Sequence, residues 1–381
     1  MKNLTKFKTS AIAALMVFGI GSASAETGVS ADAIKIGMSN ALTGPASALG
    51  IGVKTGASVY IDKINAAGGV NGRKINLVSY DDGYEPANTE ANTKKLIEND
   101  QVFLLFGYVG TPTSQKAVPV LSRAKVPYVG PFTGAEFLRK PLNKQVFNVR
   151  GSYFDEVEAQ IEHLTTKLGK KNIGIFIQDD GYGNAVKAGV VRSLRKRNMK
   201  IAGEGKYTRN TVDVDAGVAA LKGANPDAVI MVGTYKACAA FVKKAKASGF
   251  NSDYLNVSFV GTNALISELG SDGEGVFISQ VMPSPDDASV AIVKQYQDDM
   301  GKAGHSQFDY TSLEGYIDAV VLVNGLKKAG ADLTRVGFIA AMETANDDIG
   351  GLTVSYNDKD HQGLGKIYLT KIQGGKAVSA E

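Results

Sequence analysis

Short apolar runs alternate with longer amphipathic ones along most of the chain. The runs Ile34–Met38, Ile75–Tyr80, Val102–Phe106, Tyr128–Gly130 and Gln145–Val149 predict strands. A second series follows at Ile173–Gln178, Lys200–Tyr207, Ala228–Val232, Val257–Val260 and Val276–Val281. Stretches with helical spacing lie between most of them, among them Ala57–Ala67, Ala87–Glu98, Asp155–Leu168, Gly183–Arg197, Val214–Gly223 and Tyr235–Ser248. Alternation of this kind, with strands apolar throughout, predicts an α/β protein whose parallel sheets are covered on both faces. One series ends near Val149 and the other runs from about Gly151 to Val281, with no low-complexity linker between them. The pattern then changes to helices at Asp287–Met300, Tyr310–Lys328 and Leu333–Thr344, followed by strands at Leu352–Tyr356 and Lys366–Ile372. Turn chemistry supports these boundaries. The run AAGGVNGRK (Ala66–Lys74) caps a helix with glycine and turns through Asn71-Gly72 into a strand, and Pro86 suits a first helical turn.

The first 25 residues stand apart. They combine a basic start, an apolar stretch from Ala11 to Ile20 and the small-residue ending Ala23-Ser24-Ala25. This is the pattern of a secretory leader cleaved after Ala25. The apolar stretch is about half of the ~20 residues that span a bilayer, which argues against an anchor. The formal charge is +4, and removing Lys2, Lys6 and Lys8 with the leader leaves +1. That balance gives no electrostatic drive towards nucleic acid or anionic membranes. The single cysteine, Cys238, has no internal partner and lies in the helix-like run TYKACAAFVKKA, where it reads as a small buried hydrophobe.

The stretch FGYVGTPTSQKA (Phe106–Ala117) poses the functional question. A strand should deliver Gly107–Ser114 to the carboxyl edge of a parallel sheet, where open α/β sheets bind ligands. A helix beginning near Thr113 offers free N–H groups and its positive dipole end, with hydroxyls from Thr111, Thr113 and Ser114 nearby. Lys116 is already inside the helix, so a carboxylate suits the loop better than a polyphosphate. A plain helix cap at Thr113 remains the alternative. Other strand ends carry similar residues. VPYVGPFTGAEFLR brings Phe132, Thr133 and Gly134, and FIQDDGYGNA brings Asp179, Asp180 and Tyr182. MVGTYKA brings Thr234 and Tyr235, and FVGTNA brings Thr262 and Asn263. Two sheets facing each other would form a cleft whose aromatic walls and few polar anchors suit a small organic ligand.

Catalytic signatures are missing. Neither G-x-S-x-G nor G-x-x-x-x-G-K-[ST] occurs, and GIGVKTG (Gly50–Gly56) has the wrong spacing and context for a dinucleotide loop. DVDAG at Asp213 lacks the glutamate of a calcium loop, and NDKDHQG (Asn357–Gly363) reads as a turn. His163, His305 and His361 have no partner at metal-ligand spacing. The expectation is a protein without cofactor or metal, and not an enzyme.

Taken together, IKIGMSNALTGPASALG, INAAGGVNGRKINLVSYDD, FGYVGTPTS, VPYVGPFTG, QDDGYG, GTY and FVGTNA resemble the type I periplasmic solute-binding proteins of ABC importers, in the leucine/isoleucine/valine-binding branch. The resemblance covers nearly all of the chain after the leader. It implies two Rossmann-like lobes joined by three hinge crossings near Phe147–Arg150, Val281–Ser284 and Gly350–Thr353. Lobe 1 would comprise 26–148 with 283–351, and lobe 2 149–282 with 352–381. It also implies a periplasmic location and partnership with ABC permease membrane subunits. Carried over by motif, Thr111 matches a hydroxyl that binds the ligand carboxylate, and Phe132–Gly134 match backbone groups for carboxylate and ammonium. Tyr182 matches an aromatic cover, and Thr234 or Tyr235 an aromatic position. The chain departs from the family in placing Asn263 where the ammonium-pairing acid stands and Leu49 where an aromatic wall stands. Tyr84 and Gly110 occupy the positions of a first-lobe disulfide. The expected ligand is a small carboxylate with an apolar or aromatic tail, an amino acid or a related acid. Tyr108, Phe132, Tyr153, Tyr182 and Tyr235 would supply covering surface, Tyr108 and Tyr153 being core or hinge packing in the alternative. Arg150 is either a second anion partner or half of a structural ion pair. A soluble sensor that presents ligand to a membrane receptor is the competing function.

Overall fold

The computed structural model describes residues 26–380, so the leader and its expected cleavage site lie outside the described residues. The first sheet contains β1 (Ala33–Asn40), β2 (Lys74–Asp81), β3 (Leu104–Phe106), β4 (Tyr128–Val129) and β5 (Val146–Phe147), in the order β2-β1-β3-β4-β5. All its pairings are parallel. Successive strands are joined through α1 (Ser47–Ala66), α2 (Pro86–Glu98) and α3 (Thr111–Ala124). Residues of β3, β4 and β5 are buried throughout, as expected of strands covered on both faces.

After β5 the chain enters a second sheet built from β6 (Ile173–Gln178), β7 (Glu204–Tyr207), β8 (Ala228–Val232), β9 (Asp253–Asn256) and β10 (Phe277–Gln280). These pair in parallel and are accompanied by α4 (Tyr153–Glu162), α5 (Gly181–Lys196), α6 (Asp215–Ala224), α7 (Tyr235–Ala247) and α8 (Thr262–Leu269). Ser152 and Asp155 form a reciprocal capping box that starts α4 directly after the first crossing. The chain then returns to the first unit as α9 (Ala291–Lys302), α10 (Tyr310–Ala329) and α11 (Arg335–Met342). There the Arg335 guanidinium donates to the carbonyls of Phe103 (2.9 Å) and Val102 (2.8 Å). A hairpin of β11 (Asn346–Asp348) and β12 (Thr353–Ser355) precedes β13 (Tyr368–Gln373) and β14 (Lys376–Ser379). The last two are antiparallel additions that complete the order β14-β13-β10-β9-β8-β6-β7. Among the described residues no helix is long and apolar enough to cross a membrane.

Several expectations are corrected. The run Val257–Val260 is not a strand. The strand lies just before it, at Asp253–Asn256, and Ser258–Val260 form a 3₁₀ turn whose apolar side chains pack between the sheets. Helix α1 begins at Ser47, ten residues before the periodic segment, and absorbs GIGVKTG. Its glycines are there because other backbone comes close. A Cβ on Gly50 would overlap the Ala41 carbonyl, one on Gly56 the Ser312 carbonyl, and one on Gly315 of α10 the Val53 carbonyl. The helix of α4 passes at His163–Lys167 into a π turn, and α8, β11 and β14 were not foreseen. The segment Gly350–Thr353 forms the turn and start of a hairpin instead of a crossing. It is residues 361–364 that run beside the first crossing. Asn148 N donates to His361 O at 2.8 Å, and Gly363 N and Leu364 N donate to Asn148 O and Val149 O at the same distance. His361 is buried there, stacked on Phe147 at 4.0 Å between centroids, with Nδ1 2.9 Å from the Val146 carbonyl.

Gly56→Ala tests the α1–α10 packing. Helix propensity alone would favour alanine by about 1 kcal/mol. Overlap with backbone that cannot yield is expected to win, for a net loss on the order of 1–3 kcal/mol. The loss would appear as a lower urea midpoint at unchanged slope.

Candidate ligand-binding site

Parallel strands deliver their carboxyl ends to one edge, and the loops after β3 and β4 form the floor of a seam between the two sheets. Gly110, at φ 111°, turns the chain into α3, whose N-terminus has no capping side chain. Thr111 Oγ1 lies 2.6 Å from Thr133 Oγ1, and Thr133 Oγ1 donates to Tyr153 Oη at 3.2 Å. All three are fully buried, and burial pushes the Tyr153 phenol up to about 12, so it stays protonated. The other hydroxyls of the loop face elsewhere. Thr113 donates back to the Val109 and Gly110 carbonyls, and Ser114 bonds Tyr128 at 3.0 Å. The two loops are tied by Phe132 N to Tyr108 O (2.8 Å) and Gly110 N to Phe132 O (3.2 Å). Gly134 O accepts from Tyr153 N at 2.7 Å, and a Cβ on Gly134 would strike the Tyr153 ring.

The second sheet supplies the roof. Asp180 caps α5 through Tyr182 N (2.9 Å), which fixes Tyr182 over the floor. The 3₁₀ turn inserts Phe259, whose centroid is 4.6 Å from Tyr182, 5.7 Å from Phe132 and 5.9 Å from Tyr84. Tyr153 and Tyr182 are 5.5 Å apart, so five rings enclose the buried hydroxyls. Behind them Gln178 bridges Tyr207 and Tyr84, donating to Tyr84 Oη at 3.2 Å and accepting from Tyr207 Oη at 3.0 Å. At one end Leu49 packs on Gly261, and Ala48 N reaches Tyr235 Oη at 3.4 Å. At the mouth Arg209 joins Glu85 (2.8 Å) to Asp180 (3.0 Å), and Asn210 donates to Glu85 and to Gly83 O.

Thr111, Phe132, Thr133, Gly134, Tyr153, Tyr182, Tyr235 and Leu49 are therefore brought together. Two expected residues, Tyr108 and Asn263, are not, and Arg150 reaches the floor only by stacking on Phe132. Tyr108 lies in a separate core with Leu96, Val102 and Tyr128, its ring 5.3 Å from Tyr128 and its hydroxyl bonded by Thr93, because β3 side chains beyond the sheet edge point into the α2–α3 layer. Asn263 is exposed on the first turn of α8, donating to Phe308 O at 3.3 Å. Arg150 makes the structural ion pair. Nε and Nη2 bind Glu314 at 2.6 and 2.7 Å, both groups are buried, and the guanidinium lies 4.2 Å from the Phe132 centroid. Tyr84, Gln178, Tyr207 and Phe259 were missed. Tyr84 follows the β2 strand end in DDGY, the same signal as DDGY at Tyr182, and its ring rests against Gly110. Phe259 was hidden by its reading as a strand residue.

The family model described as periplasmic binding protein matches residues 33–377. A curated relative, the leucine-, isoleucine-, valine-, threonine- and alanine-binding protein of Pseudomonas aeruginosa, is 25% identical over 356 residues, 92% of each chain. Among solved structures, a possible leucine/isoleucine/valine-binding protein from Rhodopirellula baltica has 35% identity and a TM-score of 0.88, covering 94% of this chain and 98% of that one. A substrate-binding periplasmic protein from Ralstonia solanacearum has 28% identity and a TM-score of 0.86, covering 91% and 99%.

Glu314→Gln would leave the Arg150 charge buried and unpaired. It is expected to cost about 3–5 kcal/mol in equilibrium unfolding. Asn263→Ala, on the surface, is expected to stay within about 0.5 kcal/mol.

Proposed function

The chain belongs to the type I periplasmic binding proteins, in the branch similar to the leucine/isoleucine/valine-binding proteins, and on that premise we propose that it is an exported receptor for a small carboxylate-bearing solute. The solute, an amino acid or an apolar or aromatic acid, is held between two lobes and handed to the membrane subunits of an ABC importer. The leader is removed after Ala25, and the protein works outside the cytoplasm as a binding protein without a catalytic step.

The observation that carries this reading is the meeting of the Thr111–Thr133–Tyr153 hydroxyls with the uncapped N-terminus of α3 beneath rings from the other sheet. Free N–H groups and the helix dipole favour an anion at that point, and hydroxyl donors give it direction. Exclusion of water by the ring cage strengthens each of those bonds. The two lobes are the units around the two sheets, with the third boundary moved to 361–364. Rings from both sheets meet at the seam, so a ligand that touches both would stabilise the closed arrangement over an open one.

Thermal-shift screening over amino acids and apolar or aromatic acids tests the reading, since a bound ligand raises apparent stability by mass action. Thr111→Ala is expected to weaken a carboxylate ligand by about 1.5–3 kcal/mol, the worth of one charge-assisted bond. Unchanged affinity would remove this loop from the site. Arg209→Gln loosens the mouth. The pair is partly exposed, so the expected rise in Kd is at most ~5-fold, carried by faster release and shrinking as salt is added.

A further inference from the structure

We propose that the ligand of this site carries no α-ammonium group, and is a monocarboxylate with a flat apolar or aromatic tail. The inference deepens the receptor reading above and rests on it. Its basis is the state of the carboxylates around the seam, of which Glu85 at the mouth is held by Arg209 and Asn210. A buried ammonium needs a carboxylate, or a full set of acceptors, that is not already committed. Glu314 is taken by Arg150 through both oxygens. Glu156, fully buried, accepts from Ser258 N (2.7 Å), Ser258 Oγ (3.0 Å) and Ser279 Oγ (2.6 Å). Asp180 accepts from Tyr182 N, Gln178 Nε2 (2.7 Å) and Arg209. Asp82 accepts from Ser39 Oγ (2.8 Å), Tyr84 N (2.9 Å) and Thr89 Oγ1 (3.0 Å). Asp179 is exposed and pairs with Lys206 at 3.0 Å. Asn263 is turned to the surface.

Among the described residues one buried acid is uncommitted. Both oxygens of Asp318 lack a protein partner, but it sits against Gly130, one helical turn beyond Glu314, on the hinge side of the floor. Burial and the neighbouring Glu314 raise its carboxyl above the usual carboxylate range, and the Arg150 guanidinium works against them.

Among the described residues, two uncommitted groups nearer the cage can donate, while the unpartnered amide oxygens of Asn210, Asn256 and Gln160 lie at the mouth or behind the rings. Arg150 Nη1 has no hydrogen-bond partner among the described residues, on a guanidinium stacked over Phe132 whose charge is paired with Glu314. The Tyr182 hydroxyl is buried without a partner among the rings. Added to the Thr111 and Thr133 hydroxyls and the α3 N-terminus, they make a site biased towards negative charge at one end. Phe259, Tyr84, Tyr182 and Phe132 give the other end ring faces and edges, which favour a planar tail. An amino acid placed among the rings would bury its ammonium beside acids that already hold other donors, with the one uncommitted acid, Asp318, set behind Gly130.

Matched pairs that differ only in the ammonium decide the matter. Calorimetric titration of the full-length mature protein would compare 3-phenylpropanoate with phenylalanine, 4-methylpentanoate with leucine, and 3-methylbutanoate with valine. The expected result is that at least one acid binds and its amino counterpart binds ~100-fold or more weakly. It is also expected that Thr111→Ala weakens the acid by ~10-fold or more. An amino acid that binds as tightly as its unaminated partner would overturn the inference and leave the receptor reading standing. If no compound of either kind binds, the carboxylate-receptor reading falls and the inference with it. Acid binding untouched by Thr111→Ala would lie outside the seam and would likewise overturn it.

Discussion

The bidentate pair between Arg150 and Glu314 is the contact on which the arrangement around the site depends. Arg150 sits at the first passage between the two sheets, and Glu314 on α10, which the chain reaches only after building the second sheet. The same guanidinium stacks on Phe132 of the floor, and the Arg150 carbonyl accepts from Arg139 at 2.9 Å. One ion pair thus fixes the crossing, the floor loop and the returning helix together. Its desolvation cost is recovered only because both carboxylate oxygens and two guanidinium nitrogens are matched, which is why the pair is intolerant of losing one member.

With that frame set, the seam is shaped by aromatic packing and not by charge. Phe259 is the centre, touching rings from both units, and the polar groups around it are threonine and tyrosine hydroxyls and one glutamine. The charged residues have been moved outward, to the mouth at Glu85, Arg209 and Asp180, or locked into internal partnerships at Glu156 and Asp82. In a medium of low polarity this leaves the hydroxyls and a helix terminus as the directional elements of the seam.

Most of the fold was legible because its determinants are local. Strands β6 and β8 are continuous apolar runs and were read to the residue, while α10 was read to within one residue of its end. Errors came where distant backbone dictated the local structure. Gly50 and Gly56 look like a loop, yet they lie in a helix because Ala41 and Ser312 approach them. Val257–Val260 looks like a strand, yet no neighbour is there to pair it, and Phe259 turns into the seam. The site divided in the same way. Thr111, Thr133 and Tyr182 follow strand ends and could be placed by topology. Tyr108, three residues before Thr111, and Asn263, in a strand-end loop of the second unit, instead point into a separate core and onto the surface.

The sequence by itself determined the α/β class, the two strand series, the resemblance to solute-binding receptors and the polar strand-end loops, since each depends on periodicity, turn residues or motif within a short window. Only the tertiary structure decided that Arg150 belongs to Glu314, that Tyr84 and Phe259 complete the ring cage, and that Glu156, Asp180 and Asp82 are already engaged. Those facts depend on residues 164 positions apart, as Arg150 and Glu314 are, or further, as Tyr84 and Phe259 are, meeting at one point. Hydrogen-bond commitment is a property of that meeting, and no local pattern encodes it.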